Sequence, residues 1–205
     1  ALYYLSETQH NKIQHISILQ RIAEDAYVWM DRFTIRNLEL YHSYNPNAVT
    51  LLDVIDKTIS PMGSRLLKRW LALPLKDMKA IQKRHQVVTY LKENKDLLKN
   101  IQYQIKQISD LERLISKIAA GKVSPREVIY LKDSLDAIIP IKKIALESKN
   151  EAVKIIGDSL HSCDLLREKI KITLNQDAPV ALAKGNAIAK GINEFWKKIL
   201  KKSDL

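Results

Sequence analysis

Apolar residues recur every three or four positions through most of this chain, and that spacing is typical of one buried face of an α-helix. The repeat is clearest between Ser60 and Pro74, where basic residues occupy the opposite side. The pattern predicts an amphipathic helix that buries its apolar side, with Trp70 in the core. The apolar positions are Leu66, Leu67, Trp70 and Leu71.

The same stretch carries signals for the start and the end of the helix. Ser60 is a favoured N-cap because its hydroxyl can accept a hydrogen bond from an amide of the first turn, and Pro61 suits the first helical position. Pro74 blocks continuation. The helix is therefore predicted to run from about Pro61 to Leu73. Gly63 in its first turn indicates that another backbone lies close by.

Further capping residues predict where other helices begin. Asp31, Thr50 and Asp77 each precede a stretch with apolar periodicity, and such residues are favoured N-caps. The sequences Ser109–Glu112 and Ser124–Glu127 have the form of capping boxes, in which the serine and the glutamate each satisfy a backbone amide.

A long helix is predicted over residues 149–177, because apolar positions continue there at helical spacing. Before it, Pro140 lacks an amide hydrogen, so the helix that contains it should kink or end at that point. Cys163 lies on the apolar side of the long helix and is expected to be a packed, inert thiol. The apolar positions are Val153, Ile156, Leu160, Cys163, Leu166, Ile170 and Leu174.

Two stretches have a different character. Residues 27–30 have the composition of an extended segment, and Gly185–Asn186 between two short apolar runs indicates a hairpin. Asn193 can cap a last helix. The predicted fold class is therefore all-α: a multihelical core with long helices, plus a small β-hairpin or extended segment.

Composition supports a packed helical protein and charge adds a basic region. Hydrophobic residues make up 46% of 205 residues, with five Gly and six Pro. The net charge is +11, and between Pro61 and Lys92 eight Lys or Arg stand against one Asp. This region can attract phosphate or an acidic partner, or it can be a solvated helix face.

The chain is expected to be soluble, cytoplasmic and without a membrane partner. No apolar run reaches the roughly 18 residues that span a bilayer, and no secretory leader opens the chain. A single cysteine cannot form an internal disulfide.

Catalytic motifs are missing from the sequence. A Walker A loop, which cradles phosphates, does not occur, and Gly121-Lys122 lacks the hydroxyl residue that should follow. The five histidines show no metal-binding spacing. We therefore expect no enzyme activity, no cofactor and no metal in this chain. The histidines are His10, His15, His42, His85 and His161.

Several ordered blocks resemble the core domain of the MutS mismatch repair proteins. The strongest is Pro61-Met-Gly-Ser-Arg-Leu-Leu-Lys-Arg-Trp-Leu71 with Pro74-Leu75. Residues 30–40 and 51–56 resemble the preceding blocks, and residues 109–114 and 187–194 resemble later ones. These blocks occur in the same order and at similar spacing as in the family, and together they extend over most of the chain.

The resemblance implies a division of the chain. Residues 1–30 would end a connector region and enter the core, and residues 31–148 would form the helical core domain. Residues 149–177 would be a long lever-type helix, and residues 178–205 a hairpin and the start of a returning lever helix. After Glu194 the sequence departs from the family, because a basic run replaces the usual acidic lever helix.

The resemblance also implies a function for the parent protein. That protein would bind mismatched double-stranded DNA, use ATP and Mg²⁺ in a separate domain, form a homodimer and engage a MutL-type partner near the nucleoid. The structural signature would be Ser60, Pro61, Gly63, Trp70 and Pro74. Candidate DNA-binding residues are Arg65, Lys68, Arg69, Lys197 and Lys198.

Two alternatives belong to other functional classes. The chain could be a free-standing basic nucleic-acid-binding module that uses the region from Arg65 to Arg84 with Trp70 nearby. It could also be a helical adaptor that binds only proteins.

Overall fold

A computed structural model describes residues 24–45, 47–180 and 185–189, together with Tyr3, Glu7 and Ile192. Within these residues the fold is all-α, as predicted, and a short 3₁₀ turn at Glu24–Ala26 precedes the helices. None of the described helices is long and apolar enough to cross a membrane. The helices are α1 (Arg32–Asn37), α2 (Leu51–Ile55), α3 (Pro61–Ala72), α4 (Met78–Glu93), α5 (Lys95–Gln107), α6 (Leu111–Ala119), α7 (Pro125–Leu146), α8 (Glu151–Ser159) and α9 (Asp164–Thr173).

The 22-residue helix α7 is the centre of packing. It contacts α5, α6, α8 and α9. Its start is the predicted capping box, since the Ser124 hydroxyl accepts from the Glu127 amide and the Glu127 carboxylate accepts from the Ser124 amide. The main core cluster joins it to α6 and α9 and consists of Leu114, Leu131, Leu135 and Ile170.

The sequence predicts that Pro140 kinks or ends the helix that contains it. Helix α7 continues through Pro140, so the helix does not end there. A proline removes one internal hydrogen bond, but contacts on both sides of that turn hold the helix together. Ala137 and Ala145, which flank Pro140, are both buried. Tertiary packing therefore outweighs the local cost.

The predicted long helix over residues 149–177 is wrong: the segment forms α8 and α9, separated by residues 160–163. Cys163 has a left-handed backbone with φ of 50° and is exposed, which also contradicts its predicted packing. Because the chain changes direction here, apolar positions on either side no longer share one face. Ile156 is 48% exposed and Leu166 is 44% exposed, whereas Val153 and Ile170 are buried.

Helices α7 and α8 approach each other closely at Gly157. A Cβ atom added to Gly157 would lie 2.8 Å from the Cβ of Ala145 and 3.2 Å from the amide nitrogen of Leu146. Only a residue without a side chain fits this contact. The glycine thus sets the distance between the two helices.

The N-terminal helices have little buried surface. None of α1 to α5 contains a buried residue, and Leu40 and Thr50 are the buried residues among described positions from 25 to 113. The predicted extended segment at residues 27–30 is confirmed at its first residue, where Tyr27 forms an antiparallel bridge with Leu75. The Val28 amide donates to the Pro74 carbonyl at 2.7 Å.

Most predicted helix starts are confirmed, and one is displaced. Asp31, Thr50 and Asp77 each cap the helix that follows. The cap of α6 is Asp110 rather than Ser109, because the Asp110 carboxylate accepts from the amide of Arg113. The Ser109 amide instead donates to the Ser134 hydroxyl of α7 at 2.9 Å.

The predicted hairpin is described only in part. Gly185 and Asn186 have φ values of 69° and 60°, as a type I′ turn requires. Ile188 pairs with Leu174, at the end of α9. Residues 181–184, the last predicted helix with Lys197 and Lys198, and most of residues 1–23 lie outside the described residues. The predicted domain boundaries stay predictions.

Candidate functional site

Helix α3 carries the sequence features that were expected to mark the site. The Ser60 hydroxyl accepts from the Gly63 amide at 3.1 Å, and Pro61 occupies the first turn, as predicted. The helix ends at Ala72, close to the predicted end. The Ser64 hydroxyl donates to the Asp56 carboxylate, which ties the first turn of α3 to the end of α2.

Gly63 was expected to lie close to another backbone, and this prediction is wrong. A Cβ atom there would lie 3.2 Å from the Oγ of Ser60 and 3.3 Å from the Cβ of Thr58, so the close neighbours are side chains and not another backbone. The glycine leaves room for the capping hydroxyl of Ser60. Its role is therefore local to the start of α3.

Arg65 is engaged within the protein. Its guanidinium donates to both carboxylate oxygens of Asp110, at 2.7 and 2.9 Å, and to Glu112 at 2.7 Å. These hydrogen bonds, first to Asp110 and then to Glu112, raise the pKa of Arg65, and Arg65 in turn lowers the pKa of Asp110. Because its guanidinium is already hydrogen-bonded to two carboxylates, Arg65 would have to break these bonds to bind a phosphate. Arg65 therefore joins α3 to the start of α6.

The other basic residues of α3 differ in their surroundings. The Lys68 ammonium lies 5.0 Å from the centre of the Tyr41 ring, while the Tyr41 hydroxyl donates to the Lys68 carbonyl at 2.6 Å. Burial raises the pKa of Tyr41. The exposed side chain of Arg69 has no ion pair or hydrogen bond with another described residue. The exposed charge that α3 offers to a ligand is therefore that of Lys68 and Arg69.

Trp70 is not in the core, contrary to the prediction. It is 41% exposed, and the guanidinium carbon of Arg84 lies 3.7 Å from its ring centre. Helix α3 has no buried residue, so its apolar side does not reach the packed interior around α7. Helical periodicity shows which side of a helix is apolar but not how deeply that side is buried.

A second group of functional-type residues surrounds α1, and sequence reasoning missed it. A cleft of about 680 Å³ is lined by charged, aromatic and aliphatic side chains. Phe33 and Arg36 are three residues apart and Arg32 and Arg36 four apart, so helical spacing would have placed them together. We call this the α1 cleft. Its lining residues are Arg32, Phe33, Ile35, Arg36, Tyr41 and His42.

A further polar cluster lies beside the core, between α7 and α9. Asp136 accepts from Arg167 at 2.6 Å and pairs with Lys132 at 3.0 Å. Burial alone would raise the pKa of Asp136, but the two cations outweigh it and the pKa is lowered. The adjacent cavity measures about 260 Å³. Because its charges are already paired, this cluster fixes α9 against α7.

Among the described residues, no group of three His, Cys, Asp or Glu side chains is arranged to hold a metal ion. The geometry of α3 and α1 instead offers cations and aromatic rings at the surface. Such surfaces bind anionic or aromatic groups by hydrogen bonding and stacking.

Comparison with known proteins gives a consistent picture. Residues 33–203 match the family model described as MutS domain III. The chain is 83% identical over 193 residues to the DNA mismatch repair protein MutS of Flavobacterium johnsoniae and 78% identical over 192 residues to that of Flavobacterium psychrophilum. The corresponding protein of Bacteroides fragilis is 47% identical over 192 residues. Each match covers 94% of this chain and 22% of the relative, so the chain spans about a fifth of the length of these proteins.

Proposed function

Since this chain belongs to the MutS domain III family, we propose that it is the core and lever part of a DNA mismatch repair protein and transmits conformational change between an ATPase domain and a DNA clamp. In the parent protein the ligand would be mismatched double-stranded DNA. The parent would act as a homodimer with a MutL-type partner, in the cytoplasm at the nucleoid.

Helix α7 is the observation that carries this proposal. It contacts four other helices and has buried residues from Pro125 to Ala145. Close-packed interiors resist deformation, so elements packed in this way move as units. A displacement applied to one of the surrounding helices would therefore reach the others through α7.

The proposal assigns no catalysis to this chain. ATP and Mg²⁺ would be bound by another domain of the parent, because the sequence contains no phosphate-binding loop. This domain would instead transmit the effect of ATP binding to the part of the parent protein that contacts DNA. Its contribution would appear as a coupling free energy and not as a chemical step.

A basic nucleic-acid-binding module remains the second candidate, favoured by the exposure of Trp70 at 41%. Two contacts count against it. Arg65 is paired with Asp110 and Glu112, and Arg84 covers one face of the Trp70 ring. A base would have only the other face of that ring on which to stack.

The test uses the parent protein with Asp110→Asn, which weakens the Arg65 ion pair between α3 and α6 while every basic residue is retained. ATP-triggered release from a G·T duplex should slow about tenfold, in the usual range of coupling energies. Affinity for the mismatch without nucleotide and the rate of ATP hydrolysis should stay within about twofold, because the change affects only coupling.

The matched control is Asp158→Asn, an exposed carboxylate on α8. It should leave all three measurements unchanged. Transmission through this domain is contradicted if Asp110→Asn leaves the release rate unaltered, or if it weakens mismatch binding before ATP is added.

A further inference from the structure

Arg32 and Arg36 lie four residues apart on α1, so their side chains share one side of the helix. Like charges at this spacing oppose helix formation. An anion placed between or beside them would remove that repulsion.

Arg36 is held in a defined orientation by aromatic rings. Its guanidinium carbon lies 5.0 Å from the centre of the Tyr44 ring and 5.6 Å from that of the Phe33 ring. A guanidinium over an aromatic face keeps its N–H groups in its own plane, where they can donate two parallel hydrogen bonds to a carboxylate or a phosphate. The two rings thus lie against Arg36 while its N–H groups can still donate to an anion.

No carboxylate among the described residues forms an ion pair with Arg32 or Arg36. The two acidic residues nearest in sequence are otherwise engaged. Asp31 caps α1 by accepting from the Thr34 amide at 2.6 Å, and Glu39 accepts from the Ser43 hydroxyl at 2.6 Å. The described part of the chain therefore leaves the anion-binding capacity of the α1 cleft unused.

The surroundings of the α1 cleft favour protein over nucleic acid as the occupant. The lining includes Phe33, Ile35 and Tyr41, and exposed apolar side chains flank α1 in the sequence, with Trp29 at 65% and Leu38 at 58%. Apolar side chains beside cations favour another protein surface as the occupant. Aliphatic groups add nothing to the binding of a phosphate backbone, which depends on cations.

We propose that the α1 cleft docks a carboxylate-bearing, apolar segment of the remaining parent polypeptide, with Arg36 and Arg32 binding its acidic side chain. The occupant belongs to the same polypeptide because this chain spans only 22% of its relatives' length, which leaves ample chain to cover the surface. The inference rests on the proposed function only in treating the chain as one domain of that longer protein.

The first experiment measures oxidation of Phe33 and Tyr44 by hydroxyl radicals in the parent protein, without DNA or nucleotide. A docked segment excludes solvent from these rings. Arg36→Glu should release the segment and increase their oxidation about tenfold, since burial in an interface is what protects them. Arg113→Glu, an exposed arginine on α6, is the control and should change nothing.

The second experiment identifies the bound acid. Arg36→Lys places an amine in the α1 cleft, and a carbodiimide should join it to an Asp or Glu outside residues 1–205. Arg113→Lys should give no such product. The proposal is overturned if the cross-link forms only within this chain or does not form, if Arg36→Glu leaves oxidation unchanged, or if protection appears only after duplex DNA is added. Since no ATP or mismatch is present, these outcomes are independent of the release measurement with Asp110→Asn.

Discussion

Helices α3 and α7 are held in place by different kinds of contact. Helix α7 has seven buried residues and packs against four helices. Helix α3 has none, and its neighbours are reached by the Arg65 ion pairs, the stacking of Arg84 on Trp70 and the hydrogen bond from Tyr41. Both helices have a serine cap and a proline in the first turn, so local signals do not distinguish them.

The difference separates formation of a helix from its anchoring. Caps decide where a helix starts, whereas buried apolar surface supplies most of the free energy that fixes it in a fold. A surface helix held by polar contacts can shift at small cost. We expect α3 to respond to neighbouring domains and α7 to keep its packing.

The largest contrast should come from removing leucine side chains. Leu135→Ala opens a cavity in the core cluster around α7 and should lower the free energy of unfolding by about 2–5 kcal/mol. Leu66→Ala on α3, where the side chain is 47% exposed, should cost less than about 1 kcal/mol because little packing is lost. Urea denaturation followed by circular dichroism measures both. Equal losses would show that α3 is packed as firmly as α7.

Glycine substitutions should sharpen the contrast. Gly157→Ala puts a methyl group 2.8 Å from the Cβ of Ala145, and such overpacking costs about 1–3 kcal/mol. Gly63→Ala meets the hydroxyl oxygen of Ser60 at 3.2 Å and the Cβ of Thr58 at 3.3 Å, contacts longer than the 2.8 Å at Gly157, and alanine favours the helix. Its effect on the unfolding free energy should therefore be the smaller of the two. The reverse order would mean that α8 can move away from α7.

Trp70→Ala tests the polar anchoring of α3 directly. Because Trp70 is 41% exposed, the loss should be about 1–2 kcal/mol, below the 3–5 kcal/mol typical of a fully buried aromatic residue. A double-mutant cycle with Arg84→Ala should give a coupling of about 0.5–1 kcal/mol for the stacked pair. Zero coupling would show that the stacking of Arg84 on Trp70 does not help to hold α3 in place.

The smallest effect should be the pH dependence of the cap of α7. The Lys117 ammonium and the amide and hydroxyl of Ser124 lower the pKa of Glu127 from 4.5 to about 2. Glu127 therefore stabilises the fold above pH 4.5, and this stabilisation is lost as the pH falls from 4.5 to 2. Glu127→Gln should be less stable than the parent sequence at neutral pH.

This difference should shrink as the pH decreases through that window. Urea midpoints measured between pH 7 and pH 2.5 test it. Glu151→Gln, an exposed carboxylate in the first turn of α8, controls for the removal of one negative charge. A difference that stays constant over the whole range would show that Glu127 acts by its shape and not by its charge.

Short-range signals were the part of the fold that sequence could predict. Caps at Ser60, Asp77 and Ser124 join atoms within three residues of one another, so residue types and spacing are sufficient to find them. Asp110 and not Ser109 caps α6, and the Ser109 amide, which the predicted capping box would pair with Glu112, donates instead to Ser134 on a distant helix. That competitor is 25 residues away and leaves no local pattern.

Burial could not be predicted from periodicity. Trp70, Ile156 and Leu166 all fit helical spacing, yet each is at least two-fifths exposed, because depth depends on which elements pack against the helix. The sequence did not indicate that the helix breaks at Cys163, because cysteine is not a residue type that predicts a left-handed backbone. For the site, the signature helix was found, but the ion pairs of Arg65 join residues 45 and 47 positions apart.

Pro140 makes the stiffness of helix α7 uneven along its length. The helix is about 33 Å long at 1.5 Å per residue, and the carbonyl of Asp136 has no amide at position 140 to receive. The hydrogen-bond ladder is therefore weakest at this turn, while the packing of Ala137 and Ala145 on either side of it keeps the helix continuous. If α7 transmits displacement, as the proposed function requires, a bend in this helix would begin at the turn between Asp136 and Pro140.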